Sequence, residues 1–523
     1  MTRDNQNPPA QTAFDDEDSS QRRAGAEFRS AGLNINLAVA LFVWNHLSSW
    51  KYDSSVAPCG PATTTTSQRE LWASSIAVIA SLTLRETRSS SAAMEGRLRT
   101  GQQTHRVELF LGAGVAMEDS AIPDLSSTMN LPPYDAYDRM REEPVRWDES
   151  VDGWVVTGYA VVKDVLRGDY TFIRHIDFDN RKFVAKVVAG DRHLNFLVGD
   201  EHRRMHQWWL RLFSPTRMER YRETVVKPIV AATVDRFVAA GEVDLVTDFA
   251  GRIPVRVIAG IMGLPWDDDE WFRRMKELLD RVGHFFDRVP GDDGSDSIRA
   301  AEEASSMLLP TIRERRAGDG DDPISIAWRE GPELLPNWSE ADVLGMVQTM
   351  FLAGTHTTSH AIANAADLLL TRPETAAQVR ADESLEAAFV EESLRLLGPA
   401  HFRMRRANED FLAGGVTIRK NDKILPLIAA ANRDPAKYPN PHDFALDRRA
   451  LRDHVAFNFG PRACVGQALA RLEIHKAVHA MLHRLPNLRL APGAPTPEME
   501  GFGLRSYTPL QAVFDVPAAS ASV

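Results

Sequence analysis

The pattern of apolar and polar positions divides the chain near residue 116. Before it, apolar residues gather only briefly, as in 37–44 and 76–84, and polar runs such as Thr63–Thr66 and Ser89–Ser91 intervene. A segment without a sustained apolar face cannot offset its conformational entropy by burial. Residues 1–116 are therefore expected to be a disordered or poorly packed leader, either a genuine extension or the product of a start assigned upstream of Met117. After Met117 the texture changes. Trp154–Thr157 reads as a strand, Tyr159–Leu166 spaces its apolar residues at helical intervals, and Asp200–Phe213 reads as a helix rich in His, Arg and Trp. Longer helical patterns cover 218–240, 268–286, 297–316, 339–370 and 382–397. Gly414–Ile418 predicts a hairpin, 434–449 is Pro-rich and irregular, Gln467–Leu485 predicts another helix, and 501–509 predicts turns and short strands. The expectation is one mainly α domain with a minor β part over 117–515, followed by a flexible tail at 516–523.

Composition narrows the possibilities. The 523 residues are 44% hydrophobic and 25% charged with a net charge of -11, which speaks against nucleic acid as a principal partner, because phosphate binding needs a basic surface. The apolar stretches at 37–44 and 76–84 are too short to cross about 30 Å of hydrocarbon, so no membrane span is expected. The N-terminus has no secretory pattern. Only two cysteines, Cys59 and Cys464, are present, which allows one disulfide at most and points to a reducing, cytoplasmic setting.

Cys464 stands in Phe457-Asn458-Phe459-Gly460-Pro461-Arg462-Ala463-Cys464-Val465-Gly466, an irregular loop running into a helix. Unsatisfied backbone N–H groups at a helix start favour a thiolate. Gly460 and Gly466 permit unusual dihedrals and the approach of a flat ligand, Phe457 is placed to shield the sulfur, and Arg462 offers a cation to a carboxylate. Phe-x-x-Gly-x-x-x-Cys-x-Gly resembles the haem-binding loop of the cytochrome P450 family, and Ala468–Glu473 resembles that family's next helix. Asn458 stands where the family usually has glycine.

The resemblance extends over about 120–515 and implies the cytochrome P450 fold, haem b as cofactor and Cys464 as the axial iron ligand. Glu392 and Arg395 form the family's Glu-x-x-Arg pair, with Arg448 as third partner, a structural brace of the cysteine loop. Ala353-Gly354-Thr355-His356-Thr357 resembles the distorted stretch of the long helix over the haem, with Thr357 as the proton-delivering threonine and His356 where an acid is usual; His356 is a candidate proton relay. His202, His206, Arg405 and Arg462 match positions that reach the haem propionates, His206 replacing an arginine. Ala353, Gly354, Phe457, Gly460 and Gly466 line the cofactor. Phe196, Met350, His401, Phe402 and Phe502 are candidate substrate contacts, and His401 and Arg403 are candidates to anchor a polar end of the substrate.

The implied reaction is insertion of one oxygen atom from O2 into a C–H bond or double bond of an apolar small molecule, consuming two electrons and two protons. No iron–sulfur cysteine cluster is present, so a separate ferredoxin with its NAD(P)H-dependent reductase is the expected electron source, received on the cysteine side by Arg203, Arg204, Arg211, Arg217 and Arg220. A monomer is expected. A peroxide-driven peroxygenase and a non-catalytic haem sensor are the alternatives; Thr357 and Gly354 speak against the sensor.

Overall fold

Why these residues build the elements they do is clearest in the longest ones. A computed structural model describes residues 122–516, apart from 130–131, 169–170, 173–184, 189, 191, 193 and 284–293, together with the backbone of 94–100 and 103–109. The chain divides into two units, Met1–Glu118 and Asp119–Val523. In the first, Met94–Thr100 pairs antiparallel with Gln103–Leu109; the rest of the expected leader, including Cys59, lies outside the described residues. The expected tail also lies outside them from residue 517 onward.

The second unit is built mainly of helices. The expected 339–370 helix is two helices, Glu340–Gly354 and His356–Thr371, interrupted at Thr355, whose ψ of -71° departs from helical values. Ser339 and Asp342 close a capping box at its start. The expected 218–240 helix contains a widened turn at Arg222–Val226. Pro228 follows that turn and has no N–H to donate to the carbonyl four residues back, which accounts for the wider spacing. The expected 382–397 helix begins at Glu386, because Asp382 caps a short 3-10 turn at Glu383–Leu385 by accepting from Ser384 N–H at 3.0 Å. Ile253–Ile261 is a helix buried on almost every side, with Arg256 its one charged residue, so its sequence is a short, nearly continuous apolar run.

The sheet component is small. Five strands lie in the order Val145–Asp148, Gly153–Val156, Lys423–Pro426, Arg405–Arg406 and Thr171–Phe172, with Lys423–Pro426 parallel to Gly153–Val156. Short hairpins stand at Phe411–Ala413 with Val416–Ile418 and at Glu498–Gly501 with Arg505–Thr508. The main core packs Trp208, Phe249, Phe351 and Phe389 with the helices around the 340–371 pair. Two helices position the cysteine loop. Gln467–Arg484 follows it directly, and Glu386–Leu397 packs against Gln467–Arg484. No described helix is long and apolar enough to cross a membrane.

Candidate active site

The cysteine loop owes its shape to three local features. Cys464 N–H donates to the Phe457 carbonyl at 2.8 Å, closing the loop upon itself. Asn458 holds φ at +67° and its Nδ2 donates to the Arg462 carbonyl at 2.8 Å. Asparagine is among the few side chains that tolerate this left-handed region, which explains how it stands in for glycine. Gly460 has φ +71°, and a Cβ there would lie 2.8 Å from the Leu166 carbonyl oxygen and 3.0 Å from Arg167 Cα. Its role is thus to admit the end of the Tyr159–Arg167 helix. Gly466 differs: its φ of -88° is ordinary, and a Cβ would meet nothing within 4 Å.

Cys464 is solvent-accessible, yet its thiol is deeply enclosed by protein. Together these facts place it on the floor of a hollow inside the fold. Burial pushes the thiol pKa up; the Gly466 N–H bond to the sulfur and the charges of Arg403 and Arg471 pull it down without overcoming burial. The Gly466 N–H at the helix start thus acts in favour of the thiolate, against the cost of burial. A metal cation bound to the sulfur would add to that, since coordination deprotonates a thiol.

The loop is braced from the Glu386–Leu397 helix by two adjacent carboxylates. Glu392 and Arg395 are fully buried, with Arg395 Nε and Nη2 each 2.7 Å from a carboxylate oxygen. Arg448 Nε reaches Glu392 Oε1 at 3.0 Å and Ala445 N–H donates to it at 3.1 Å. Arg395 further donates to the carbonyls of Asn432, Pro441 and Asp443. Glu391 grips the other side. It accepts from Arg471 Nε at 2.6 Å and lies 3.0 Å from His454 Nε2. Although burial raises the Glu391 pKa, the bonds from His454 and Arg471 outweigh it and hold the carboxyl at about 2. The Arg471 guanidinium also lies 4.3 Å from the centre of the Phe457 ring, which ties this second network to the cysteine loop.

Several basic groups converge on the same region. Arg405 is buried and donates to the Met404 carbonyl. Arg403 is enclosed and close enough to Cys464 for their charges to interact; burial lowers its pKa, and among the described residues no carboxylate pairs with it. Arg462 donates to the Leu197 carbonyl at 2.8 Å. His202 is buried with its ring 5.5 Å from that of His206. His206 Nε2 lies 2.8 Å from the Ala463 carbonyl, so this imidazole holds the residue next to the cysteine.

On the helix side, Ala353 is exposed although Leu352 and Thr355 beside it are buried. An accessible alanine among buried neighbours leaves this stretch of the helix face uncovered by protein. Thr357 Oγ1 donates to the Ala353 carbonyl at 2.8 Å.

A family model described as Cytochrome P450 matches residues 275–509. Cytochrome P450 monooxygenase PikC of Streptomyces venezuelae is 33% identical over 384 residues, covering 71% of this chain and 89% of the relative. The 20-oxo-5-O-mycaminosyltylactone 23-monooxygenase of Streptomyces fradiae is 30% identical over 400 residues, covering 76% of this chain and 91% of that one. The crystal structure of CalO2 superimposes with a TM-score of 0.65 at 26% identity, covering 73% of this chain and 96% of CalO2. The chain is a cytochrome P450.

It is a monooxygenase of that family, whose cofactor is haem. The residues of this P450 fit haem: an accessible but enclosed cysteine, Gly466 open to space, and an enclosed arginine with no carboxylate partner among the described residues suit a flat iron-bearing dianion. Cys464 would hold the iron, while Arg403, Arg405, Arg462 and His202 are the groups available to its carboxylates.

The remaining predicted residues are placed less uniformly. His356 Nε2 lies 3.4 Å from Asp280 Oδ1, and Lys276 donates to the other Asp280 oxygen at 2.7 Å. Burial pushes the Asp280 carboxyl up, but its bonds to His356 and Lys276 leave it below the ordinary value. His360, one turn along, is held at about 4 by burial and by the charge of His356. Met350 and Phe402 are buried, and Phe402 stacks edge-on with Phe502 at 5.1 Å. Phe196 is half-buried against the main core. His401 is 1% exposed, with Nδ1 3.1 Å from Tyr137 Oη, so its imidazole is engaged in a buried polar cluster. Arg403, Asp280 and the Glu391 network went unassigned or differently assigned from the sequence. Arg403 carried a usable signal, since it lies two positions from Arg405 on extended chain and shares its side.

Proposed function

We propose that this P450 inserts one oxygen atom into an apolar small molecule, with electrons delivered by a ferredoxin and its NAD(P)H-dependent reductase. The observation that carries the reading is Cys464, accessible to a hollow yet enclosed, under a sulfur-directed N–H from Gly466. Haem, when bound, supplies the reductive activation of dioxygen. The protein's own residues do the rest. Phe457, backed by Arg471, screens the sulfur from water, and the Glu391 and Glu392 networks hold the loop rigid. Thr357 presents a hydroxyl at the helix break, and His356 with Asp280 and Lys276 forms a titratable path beside it that leads to the half-exposed edge of Asp280.

Phe196, Met350, Ala353, Phe402 and Phe502 are the apolar groups proposed to contact substrate, and their character favours a hydrophobic compound. The engagement of His401 with Tyr137 makes it a wall behind them. The name of the Streptomyces fradiae relative states that it oxidises a mycaminosyltylactone, so lactones of that kind are the first compounds to screen for a spin-state shift.

Arg204 is exposed and, among the described residues, without an ion-pair partner, whereas Arg203, Arg211, Arg217 and Arg220 are paired with Asp200, Glu330 and Asp321. Arg204 is therefore the proposed centre of attraction for an acidic ferredoxin. The deciding experiment is twofold. A reduced carbon-monoxide difference spectrum reports thiolate ligation, and its absence in folded, haem-loaded protein refutes the ligand assignment. Product formation is then compared with ferredoxin, reductase and NAD(P)H against hydrogen peroxide alone. Turnover with the protein partners alone supports the proposal, and turnover with peroxide alone replaces it with a peroxygenase. In His356→Ala, lowered product per electron consumed supports the relay; unchanged coupling rejects it.

A further inference from the structure

The far end of the helix that follows the cysteine loop carries chemistry that oxygen insertion does not use. His475, His479 and His483 recur every four residues along Gln467–Arg484, which sets all three imidazoles on one face. That face meets the start of the Glu386–Leu397 helix and the Glu383–Leu385 turn before it. The Glu386 carboxylate, 2% exposed, lies 2.9 Å from His479 Nδ1, 3.2 Å from His483 Nε2 and 3.2 Å from His475 Nε2. Glu383 Oε1 stands 4.0 Å from His483 Nε2. One donor atom each from Glu383, His479 and His483 lies within 4.8 Å of the others.

We propose that His479, His483 and Glu383 bind a divalent transition-metal ion, zinc in particular, with Glu386 beneath them as the carboxylate that orients the imidazoles. Three observations carry this. The first is geometry. Donors about 2.0–2.1 Å from a tetrahedral zinc lie roughly 3.3 Å apart along the edges; Glu383 Oε1 and His483 Nε2 stand 4.0 Å apart and one donor atom of His479 lies within 4.8 Å of a donor on each of them, so a contraction of about 1 Å closes the set. Histidines four apart on a helix need only side-chain rotation to share an ion. The second is charge. All the ion pairs of Glu386 among the described residues are with imidazoles, none with lysine or arginine. With those imidazoles neutral, Glu383 and Glu386 leave two negative charges, which a divalent ion balances. Lys476 and Arg222 act on His475, the histidine outside the ligand set, and Arg380, which donates to the Leu482 carbonyl beside His483, is spent on the backbone and not on either carboxylate. The third is access. The side chain of Glu383 is 69% exposed and that of His479 38%, so an ion can enter, whereas Glu386 is buried and fixed. Glu386 meets His479 through Nδ1 and leaves its Nε2 for an ion, the usual carboxylate support of a metal-bound imidazole, whereas the His483 ring has to turn to free its Nε2 from Glu386.

The ligands come from the far end of the Gln467–Arg484 helix and from the turn that precedes the Glu386–Leu397 helix, the two helices that position the cysteine loop. An ion there ties the Gln467–Arg484 helix to the turn leading into the Glu392 and Glu391 networks. The proposal does not depend on the substrate or redox partner of the enzyme.

The test uses untagged, haem-loaded full-length protein cleared of metal with a chelator. Zinc is titrated by equilibrium dialysis at pH 7.5 with the bound metal counted by mass spectrometry, and thermal unfolding is followed in parallel. Wild-type protein is expected to retain one equivalent that His479→Gln/His483→Gln loses, with an upward shift in Tm on adding zinc that disappears in the same variant. Glu383→Gln, at an exposed position where folding is not in question, is expected to weaken that equivalent by about tenfold or more. His442→Gln removes a histidine elsewhere on the surface and is expected to change nothing. Equal stoichiometry and affinity in wild type, the double variant and Glu383→Gln overturns the proposal, as does an equivalent lost only in His442→Gln.

Discussion

Removing the charge of Glu392 perturbs the brace of the cysteine loop most directly. Its carboxylate is fully buried and receives four donors, two from Arg395 at 2.7 Å, one from Arg448 at 3.0 Å and the Ala445 N–H at 3.1 Å. Glu392→Gln keeps the shape but turns one acceptor into an N–H2 group facing guanidinium donors, and leaves two cations with only carbonyl oxygens around them. Breaking one partner out of a buried ion pair costs about 3–5 kcal/mol, a large share of the ~5–15 kcal/mol that keeps a domain folded. Arg448→Met removes a cation instead of the shared anion and is expected to cost less, about 1–3 kcal/mol. In the double variant one of the two uncompensated charges is gone, so its loss is expected to fall short of the sum by about 1 kcal/mol or more. The assay is denaturant unfolding of the haem-loaded protein followed by far-ultraviolet circular dichroism, with the reduced carbon-monoxide spectrum as a report on the loop. Glu392→Gln within about 1 kcal/mol of wild type, or a strictly additive cycle, refutes the reasoning.

Gly460→Ala forces a side chain at φ +71° into the Leu166 carbonyl and is expected to cost at least about 1–3 kcal/mol, whereas Asn458→Gly loses only the bond to the Arg462 carbonyl, about 1 kcal/mol; denaturant midpoints compare the two. Glu473 is buried, its Oε2 has no hydrogen-bond partner among the described residues, and burial holds its carboxyl well above the ordinary range. Its folded-state pKa is thus raised, so the stability it contributes is full below about pH 4.5 and is lost as pH rises through the folded value. Glu473→Gln is therefore expected to match wild type at low pH and to gain on it steadily above that; a difference that stays flat from pH 5 to about 8 contradicts this. Arg204→Glu is expected to reduce kcat/KM for ferredoxin several-fold and to flatten its salt dependence, while Arg211→Glu, already paired with Glu330, does less; equal effects of the two in steady-state kinetics remove Arg204 from the centre of the patch.

How much was legible in the sequence varied with the range of the cause. The cysteine loop and the Glu392–Arg395 pair were readable because their meaning lies in local spacing: two Gly near one Cys, and an acid and a base three residues apart. The long helices were readable for the same reason. The Ile253–Ile261 helix was not, since a short, nearly all-apolar run reads equally well as a buried strand.

By itself, then, the sequence determined the family, the mainly α fold and the identity of Cys464 as the candidate ligand. Tertiary structure alone decided how individual side chains are spent. It turned His206 to the Ala463 carbonyl, 257 positions away, and His401 to Tyr137, 264 positions away. It set Glu391 between Arg471 and His454, enclosed Arg403 with no acid to pair with it among the described residues, and raised the Cys464 thiol above its ordinary pKa. It also gathered three regularly spaced histidines around Glu386, where a sequence shows only a polar stripe. The physical reason is common to all of these. A hydrogen bond, an ion pair and a desolvation penalty depend on which groups lie within a few ångströms, and packing between distant segments sets those distances.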